Sequence, residues 1–435
     1  MDKTKVAIVG MGTVGTGVAR LLLDHGDRTA RHAGRTLWLE KAVVRDLGKT
    51  RDADLPAGIL TDQLNDVLDC KSIQVVAQLI GGLEPARTIM LQLLESGKDV
   101  VTANKALLAV HGPELFDAAR SLGRSIAFEA AVAGGIPIVA NISQCFSANQ
   151  IQSIRGILNG TSNFIMCEMM ETGCEYSYAL KNAQELGYAE ADPAMDVDGS
   201  DAAQKLAILA HLAFGARLNW QDIPRVGIDN VQSIDMKYAN QLGYCIKLLA
   251  ISNLTEHGLE LSVSPTLIKK GRPLAEVRGA YNALTVIGDA VGDVFFHGQG
   301  AGRMPTASAV VADMIDTAVG RTALTFSTLE LWSQSESKVI IRGHKDLPGR
   351  YYMRFSVADE PGVLSQVTGI LGQNGLSIAS VIQHEPAPID KGLLQLVIMT
   401  HDAPEGNADK SMQHIDQLES VHGRSVRMRV IENAH

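Results

Sequence analysis

The chain has 435 residues, of which 46% are apolar and 20% charged, with a formal net charge of −9. That length exceeds one ordinary core and implies two or three domains, and the composition is that of a globular chain, not a disordered one. The acidic balance argues against a nucleic-acid surface, which needs a basic field, and no apolar run approaches the roughly 20 residues that cross a bilayer.

The N-terminal MDKTKVAIVG reaches a glycine after a very short apolar run and lacks the apolar core and cleavage site of a signal peptide. The cysteines, Cys70, Cys145, Cys167, Cys174 and Cys245, are few, odd in number and without C-x-x-C spacing. A reduced, cytoplasmic compartment is therefore expected, and the sequon-like Asn159-Gly-Thr carries no glycan meaning.

In chain order, Lys5 to Val9 reads as a short buried strand, followed by a glycine turn and a helix with apolar spacing at Val14, Val18, Leu21 and Leu22. TLWLEKAVVRD, SIQVVAQLIGG, DVVTAN and RSIAFEAAV supply four further strands, with helices at PARTIMLQLLESGK and PELFDAARSLG. Alternating strands and helices mean a parallel, doubly wound sheet. IQSIRGILNGTSNFIMCEMMETG then reads as strand, turn and helix. Residues 253–302 read as an open mixed sheet, MPTASAVVADMIDTAVG as a helix, and 322–346 as a connector. From RYYMRFSVAD onward the order is βαββαβ, a ferredoxin-like unit. The expected domains are 1–135, completed by the helix at about 303–320; 136–302, for substrate and dimerisation; the connector 321–348; and 349–435.

The turn Gly10-Met-Gly12-Thr13-Val14-Gly15 follows the first strand and opens a helix, the context of a dinucleotide site. Gly10 permits the tight turn, Gly12 lets a pyrophosphate approach backbone N–H groups, and Gly15 permits close helix packing. At the end of the second strand Arg45 suits a 2′-phosphate and favours NADP, while Asp46 keeps NAD open. Lys105, in TANKALL, lies just beyond the fourth strand at the ligand-facing end of the sheet, within reach of cofactor or substrate. Gly160 and Thr161 can offer backbone N–H groups to a carboxylate, or simply form a capped helix start. GQGAGRMPT is a second glycine-rich loop before a helix, expected near the cofactor.

The densest signal is ELGYAEADPAMDVDGSDAAQKLAILAH, Glu185 to His211. Asp201 and Lys205 stand i and i+4 on one helix face, with Asp198 or Ser200 as the cap. The apolar neighbours imply that the helix is buried, so Lys205 needs a carboxylate partner. The bland reading is an ordinary surface pair. Against it, so many acids beside an apolar helix are costly unless something cationic binds, whether a metal or the ammonium of a substrate.

Together GMGTVG, TANK, EAAVAGGIPI, LNGTSNFI, LGYAEADPAMDVDGSDAAQK and GAGRMPTASAVVAD resemble homoserine dehydrogenases over nearly the whole chain, and VADEPGVLSQVTGILGQNGLSI resembles an ACT domain. The resemblance implies NAD(P)-dependent interconversion of L-aspartate 4-semialdehyde and L-homoserine, with threonine as feedback effector and a homodimer or homotetramer built through the central domain. It makes Lys205 the proton donor and Lys105 the lysine shared by cofactor and substrate. Glu190 and Asp201 fall on substrate-binding acids, with Asp196 and Tyr188 close by. Gly187 and Gly302 match backbone contacts to the cofactor, and Thr102 and Glu190 are placed with it too. Glu129, Val132, Gly134 and Ile136 match a monovalent-cation site of main-chain oxygens, expected to hold Na+. No kinase-like segment precedes the first strand, so no fused aspartate kinase is expected.

In this reading the carboxylates select and orient the ammonium of an amino-acid substrate, and Lys205 protonates the developing alkoxide. Lys105 would lower the proton affinity of Lys205 by like-charge repulsion, and the acids would raise it. Two other functions fit the same residues: reduction of a different semialdehyde, or a non-catalytic sensor joining a dinucleotide fold to an amino-acid module.

Overall fold

The computed structural model describes residues 2–329, 331–332, 339–383 and 393–432. It contains two compact units, neither continuous in sequence: residues 1–151, 204–222 and 287–339 form one, and residues 152–203, 223–286 and 340–435 the other.

The first unit is built on strands β1 (Lys3–Val9), β2 (Thr36–Val43), β3 (Leu60–Thr61), β4 (Ile73–Gln78), β5 (Asp99–Thr102) and β6 (Ile126–Ala127). Their order is β3-β2-β1-β4-β5-β6, and every pairing is parallel. The order reverses between β1 and β4, which opens a crevice at the carboxyl ends of these two strands. Val6, Ala7, Ile8 and Val9 are buried on both faces of β1, as a strand covered by helices requires. The helix Thr13–Asp24 packs Val18 and Leu22 onto this core. From much later in the chain, the helix Arg303–Ala318 adds Ala307, Val310 and Met314 to the same cluster. A Cβ on Gly17 would come within 2.9 Å of the Ala307 Cβ, so the two helices meet only because Gly17 has no side chain.

Several local features differ from the sequence-based expectation. The two-residue edge strand β3 is too short to show a period, and the helix Gly26–Ala33 carries little apolar surface beyond Ala30 and Ala33; neither was expected. The expected strand RSIAFEAAV pairs only over Ile126–Ala127 and then tightens into a 3₁₀ turn at Glu129–Ala131, where the Glu129 carboxylate is drawn onto backbone N–H groups. The helix expected from Pro113 begins at Lys105 and carries Pro113 inside it. Asn104 explains the early start, because its side-chain oxygen accepts from the Leu107 N–H at 3.0 Å. The expected connector holds a helix at Arg321–Leu329 and a 3₁₀ turn at His344–Asp346, and part of it lies outside the described residues.

The second unit contains β7 (Ile151–Ile157), β8 (Tyr244–Thr255), β9 (Gly258–Lys269), β10 (Tyr281–Gly288), β11 (Pro348–Ala358), β12 (Ile378–Gln383), β13 (Leu393–Thr400) and β14 (Val426–Ile431). Their order is β10-β7-β8-β9-β14-β11-β13-β12. The mixed sheet begins earlier than expected: β8 starts at Tyr244 and pairs with β9 as one long antiparallel hairpin, from Tyr244↔Lys269 to Thr255↔Gly258. The βαββαβ module is present, with helices Val363–Gln373 and Glu405–Ile415 covering Tyr351, Met353, Phe355, Leu396 and Ile398. Its last strand, β14, pairs in parallel with β9 through Arg429↔Thr266 and Ile431↔Ile268, so the central and C-terminal modules share one continuous sheet.

A buried ion pair ties the C-terminal module to the helix Ser233–Gln241 in the same unit. Arg354 Nε donates to Asp235 Oδ1 at 2.6 Å, and the two side chains are 3% and 0% exposed. Tyr352 Oη donates to the same carboxylate at 2.9 Å, and Arg354 Nη2 also donates to Gln232 Oε1 at 2.8 Å. The charge is thus fully hydrogen-bonded, the condition for burying it.

Candidate functional site

In the first unit the glycine turn sits at the carboxyl end of β1. Gly10 has φ +100°, a region L side chains rarely adopt, and its N–H donates to the Val43 carbonyl at 3.0 Å. A Cβ on Gly15 would lie 2.1 Å from the Gly10 carbonyl oxygen, so this close turn admits no side chain there. Gly12, which caps the helix, has nothing within 4 Å of where a Cβ would stand. The helix N-terminus at Thr13 and Val14 therefore opens onto free space, a geometry that fits a pyrophosphate.

Beyond β2, Arg45 is exposed. Asp46 is folded into its own turn: its Oδ1 accepts from Gly48 N–H at 2.8 Å, and its carbonyl accepts from Arg51 Nη2 at 2.7 Å. Thr102 is fully buried and donates its hydroxyl to Gln78 Oε1 at 3.2 Å. Asn104 anchors the next turn by donating Nδ2 to the carbonyls of Ile80 at 2.9 Å and Gly82 at 2.7 Å. Lys105 is thereby fixed as the first residue of its helix, at the carboxyl end of β5. Gly302, with φ +116°, caps the helix that begins at Arg303.

The proposed cation-binding segment belongs to the same unit. The Glu129 carboxylate accepts from Val139 N–H at 2.8 Å and Ala140 N–H at 2.7 Å. Burial nevertheless pushes its carboxyl upward, and burial together with Glu129 pushes the neighbouring Asp313 well above the usual carboxylate range. Val132 to Ile136 curl tightly, with Ala133 at φ 54° and Gly134 at φ 47°. A Cβ on Gly134 would come within 2.5 Å of the Gly300 carbonyl oxygen. Among the described residues no group of three or more His, Cys, Asp or Glu could hold a metal ion.

In the second unit the expected substrate residues cluster around a side chain that the sequence reading had passed over. Asn159 Nδ2 donates to Asp196 Oδ1 at 2.8 Å and to Asp201 Oδ2 at 2.9 Å. Its Oδ1 accepts from Ser162 N–H at 2.7 Å and so caps the helix Gly160–Thr172. One amide thus joins a helix N-terminus to two carboxylates, and its two N–H groups hold both acids at fixed positions. In the motif LNGTS the sequence reading had singled out the Gly160 and Thr161 N–H groups, or a capped helix start, and gave the Asn159 side chain no role. Asp201 is 5% exposed. Asp198 behaves as the expected cap, accepting from the Ser200 N–H at 2.7 Å and hydroxyl at 2.9 Å.

Gly160 is pressed against the chain: a Cβ there would lie 2.6 Å from the Ala280 carbonyl oxygen. Thr161 donates its hydroxyl to the Tyr188 carbonyl at 2.7 Å, and the Tyr188 ring lies 4.8 Å from that of Phe164. Gly187, at φ +76°, turns the chain ahead of Tyr188. The turn is stitched by Gln184, whose carbonyl accepts from Gly187 N–H at 3.0 Å and whose Nε2 donates to the Glu190 carbonyl at 3.2 Å. Glu190 is exposed, and Asp196 is half-buried. Lys205 lies one turn beyond Asp201 on the helix Ser200–Phe214 and is 9% exposed.

Three family models match in succession: the homoserine dehydrogenase NAD-binding domain over residues 10–129, homoserine dehydrogenase over 137–315, and the ACT domain over 351–420. A homoserine dehydrogenase from Pseudomonas aeruginosa is 44% identical, with 99% of each chain covered. One from Synechocystis is 42% identical over 96% of this chain and 97% of that one. Among solved structures, a homoserine dehydrogenase from Thiobacillus denitrificans is 41% identical and superposes with TM-score 0.91 over 99% of both chains. A hyperthermophilic archaeal homoserine dehydrogenase in complex with NADPH is 25% identical, with TM-score 0.61 over 73% of this chain and 98% of that one.

Proposed function

The chain belongs to the homoserine dehydrogenase family and is an NAD(P)-dependent oxidoreductase acting on a CH–OH group; from that premise we propose that Lys205 exchanges the proton, and that Asp201, Asp196 and Glu190 hold the amino-acid end of the substrate. When bound, the nicotinamide supplies or accepts the hydride at the carbon that is aldehyde in L-aspartate 4-semialdehyde and alcohol in L-homoserine. The single observation that carries the reading is the Asn159 amide held between Asp196 and Asp201. One neutral donor fixes the two acids side by side, and paired carboxylates are the acceptor type that an ammonium requires. Lys205 delivers a proton to the substrate oxygen in reduction and takes it back in oxidation. Lys105, fixed by the Asn104 cap, serves cofactor and substrate. Gly160 and Thr161 present helix N–H groups to the substrate carboxylate.

The open glycine turn supports cofactor binding by Gly10, Gly12, Thr13, Val14 and Gly15, with Thr102, Gly187, Glu190 and Gly302 completing the cofactor set. Exposed Arg45, beside an Asp46 engaged in its own turn, supports NADP over NAD. Main-chain oxygens of Glu129, Val132, Gly134 and Ile136 would take a monovalent cation, Na+, and brace the fold without taking part in chemistry. The left-handed curl at Ala133 and Gly134 and the preference of hard cations for oxygen support that assignment. The C-terminal module supports threonine as effector, and the family supports a homodimer or homotetramer in the cytoplasm. The test is initial-rate oxidation of homoserine with each cofactor, with and without threonine. The reading expects faster turnover with NADP+ and inhibition by threonine. Zero turnover in well-folded protein would contradict it.

A further inference from the structure

β8 carries a lysine where an apolar residue is expected. Cys245, Leu249 and Ile251 alternate on the face of β8 that enters the core with Ile157, Ile268 and Val277. Lys247 shares that face and is 4% exposed. Among the described residues it pairs with no carboxylate; its partners are Val277 O at 2.5 Å, Asn163 Oδ1 at 3.0 Å and Cys167 Sγ at 3.1 Å. An ammonium buried this way is costly unless its three donors are all used.

These partners lie on two segments that frame the substrate half of the site. Asn163 and Cys167 belong to the helix Gly160–Thr172, whose N-cap Asn159 holds Asp196 and Asp201. Val277 begins the loop whose Ala280 carbonyl presses on Gly160. The two segments are also joined by Asn163 Nδ2 donating to the Gly279 carbonyl at 2.8 Å, and by Asn282 Nδ2 donating to the Leu158 carbonyl at 3.0 Å. Lys247 is the cation at the centre of this seam. It grips the helix through Asn163 and the loop through Val277 at the same time.

We infer that Lys247 is a positioning residue for the dehydrogenase reaction: through Asn163 and Val277 it sets the first turn of the Gly160–Thr172 helix, and hence the Asn159 amide that aligns the substrate acids. The inference rests on the assignment of Asp196 and Asp201 to substrate binding. Without the ammonium, Asn163 Oδ1 and Val277 O lose their donor and the seam is free to slide, and small displacements at a site have large kinetic effects.

The experiment measures KM and kcat for homoserine and for the cofactor in the full chain, comparing wild type with Lys247→Met, Asn163→Asp and Asp201→Asn. Asn163→Asp keeps an oxygen for Lys247 and gives it a carboxylate, which favours folding, but removes the donor to Gly279 O. Lys247→Met and Asn163→Asp should each raise KM for homoserine about tenfold or more while cofactor KM stays within about twofold, the size expected for losing a buried hydrogen-bond partner. A purely structural lysine would lower the melting temperature of Lys247→Met and leave both KM values unchanged; that result, or an unchanged homoserine KM in folded Asn163→Asp, overturns the inference. An Asp201→Asn enzyme with unaltered homoserine KM would instead overturn the assignment of the acids on which the inference stands.

Discussion

The helix that carries Lys205 is held at its far end by a histidine that must stay neutral, and acid should release it. His211 is 7% exposed and stacks on Trp332, with ring centroids 4.4 Å apart. Its Nε2 accepts from the Trp332 backbone N–H at 2.6 Å, which leaves Nδ1 as the protonated nitrogen, donating to the Ala216 carbonyl at 3.0 Å. Burial drives the ring down from 6.5 to about 4, and Arg217 and Arg120 push the same way against the Ala216 bond. A second proton would have to go onto Nε2, which faces a donor. The unfolded chain takes up that proton near 6.5 while the folded chain refuses it until about 4. His211 therefore favours the folded state fully above 6.5, and this contribution is lost as pH falls toward 4. The gap corresponds to about 3 kcal/mol at its limit and to about 2 kcal/mol already lost at pH ~5. Urea unfolding of wild type and His211→Gln, followed by tryptophan fluorescence at neutral pH and near pH 5, isolates this contribution from the other titrating groups. Wild type should lose about 2 kcal/mol more than the variant over that interval. Parallel losses in the two proteins would refute the argument.

Asn159→Ala removes a helix cap, worth about 1 kcal/mol, and the donor shared by Asp196 and Asp201; homoserine KM should rise about tenfold or more with cofactor KM unchanged, as steady-state kinetics would reveal. An equal change in both constants would speak against its place among the substrate residues. Asp235→Ala leaves the Arg354 guanidinium buried without its counter-charge and should destabilise the chain by about 3–5 kcal/mol in denaturant unfolding. A loss below about 1 kcal/mol would mean that the charge finds water once the carboxylate is gone.

The parallel sheet was readable because β1 and its neighbours are short apolar runs punctuated by glycine, and the Gly10–Gly15 turn marks the crevice by itself. The acids and Lys205 stood out as candidates because charge next to an apolar helix needs a reason. Asn159 was hidden because a single amide in LNGTS looks like any cap; its partners lie 37 and 42 residues away, and sequence spacing carries no information about such a contact. The helix start at Lys105 was masked by Pro113, an ordinary breaker that this helix accommodates. Lys247 was missed for a similar reason. The sheet had been expected only from Asn253, so YCIKLLAI was not read as a strand whose lysine points inward. The parallel pairing of β14 with β9 joins segments too far apart in sequence for local patterns to reveal.

Proton exchange by Lys205 is tested by one comparison: turnover of homoserine by Lys205→Ala alongside NADPH binding by the same protein. If Lys205 is the proton donor, kcat falls by about 10²–10⁴, with cofactor affinity unchanged. A folded variant that turns over at near wild-type rate, or one that loses cofactor binding in step with turnover, would contradict it.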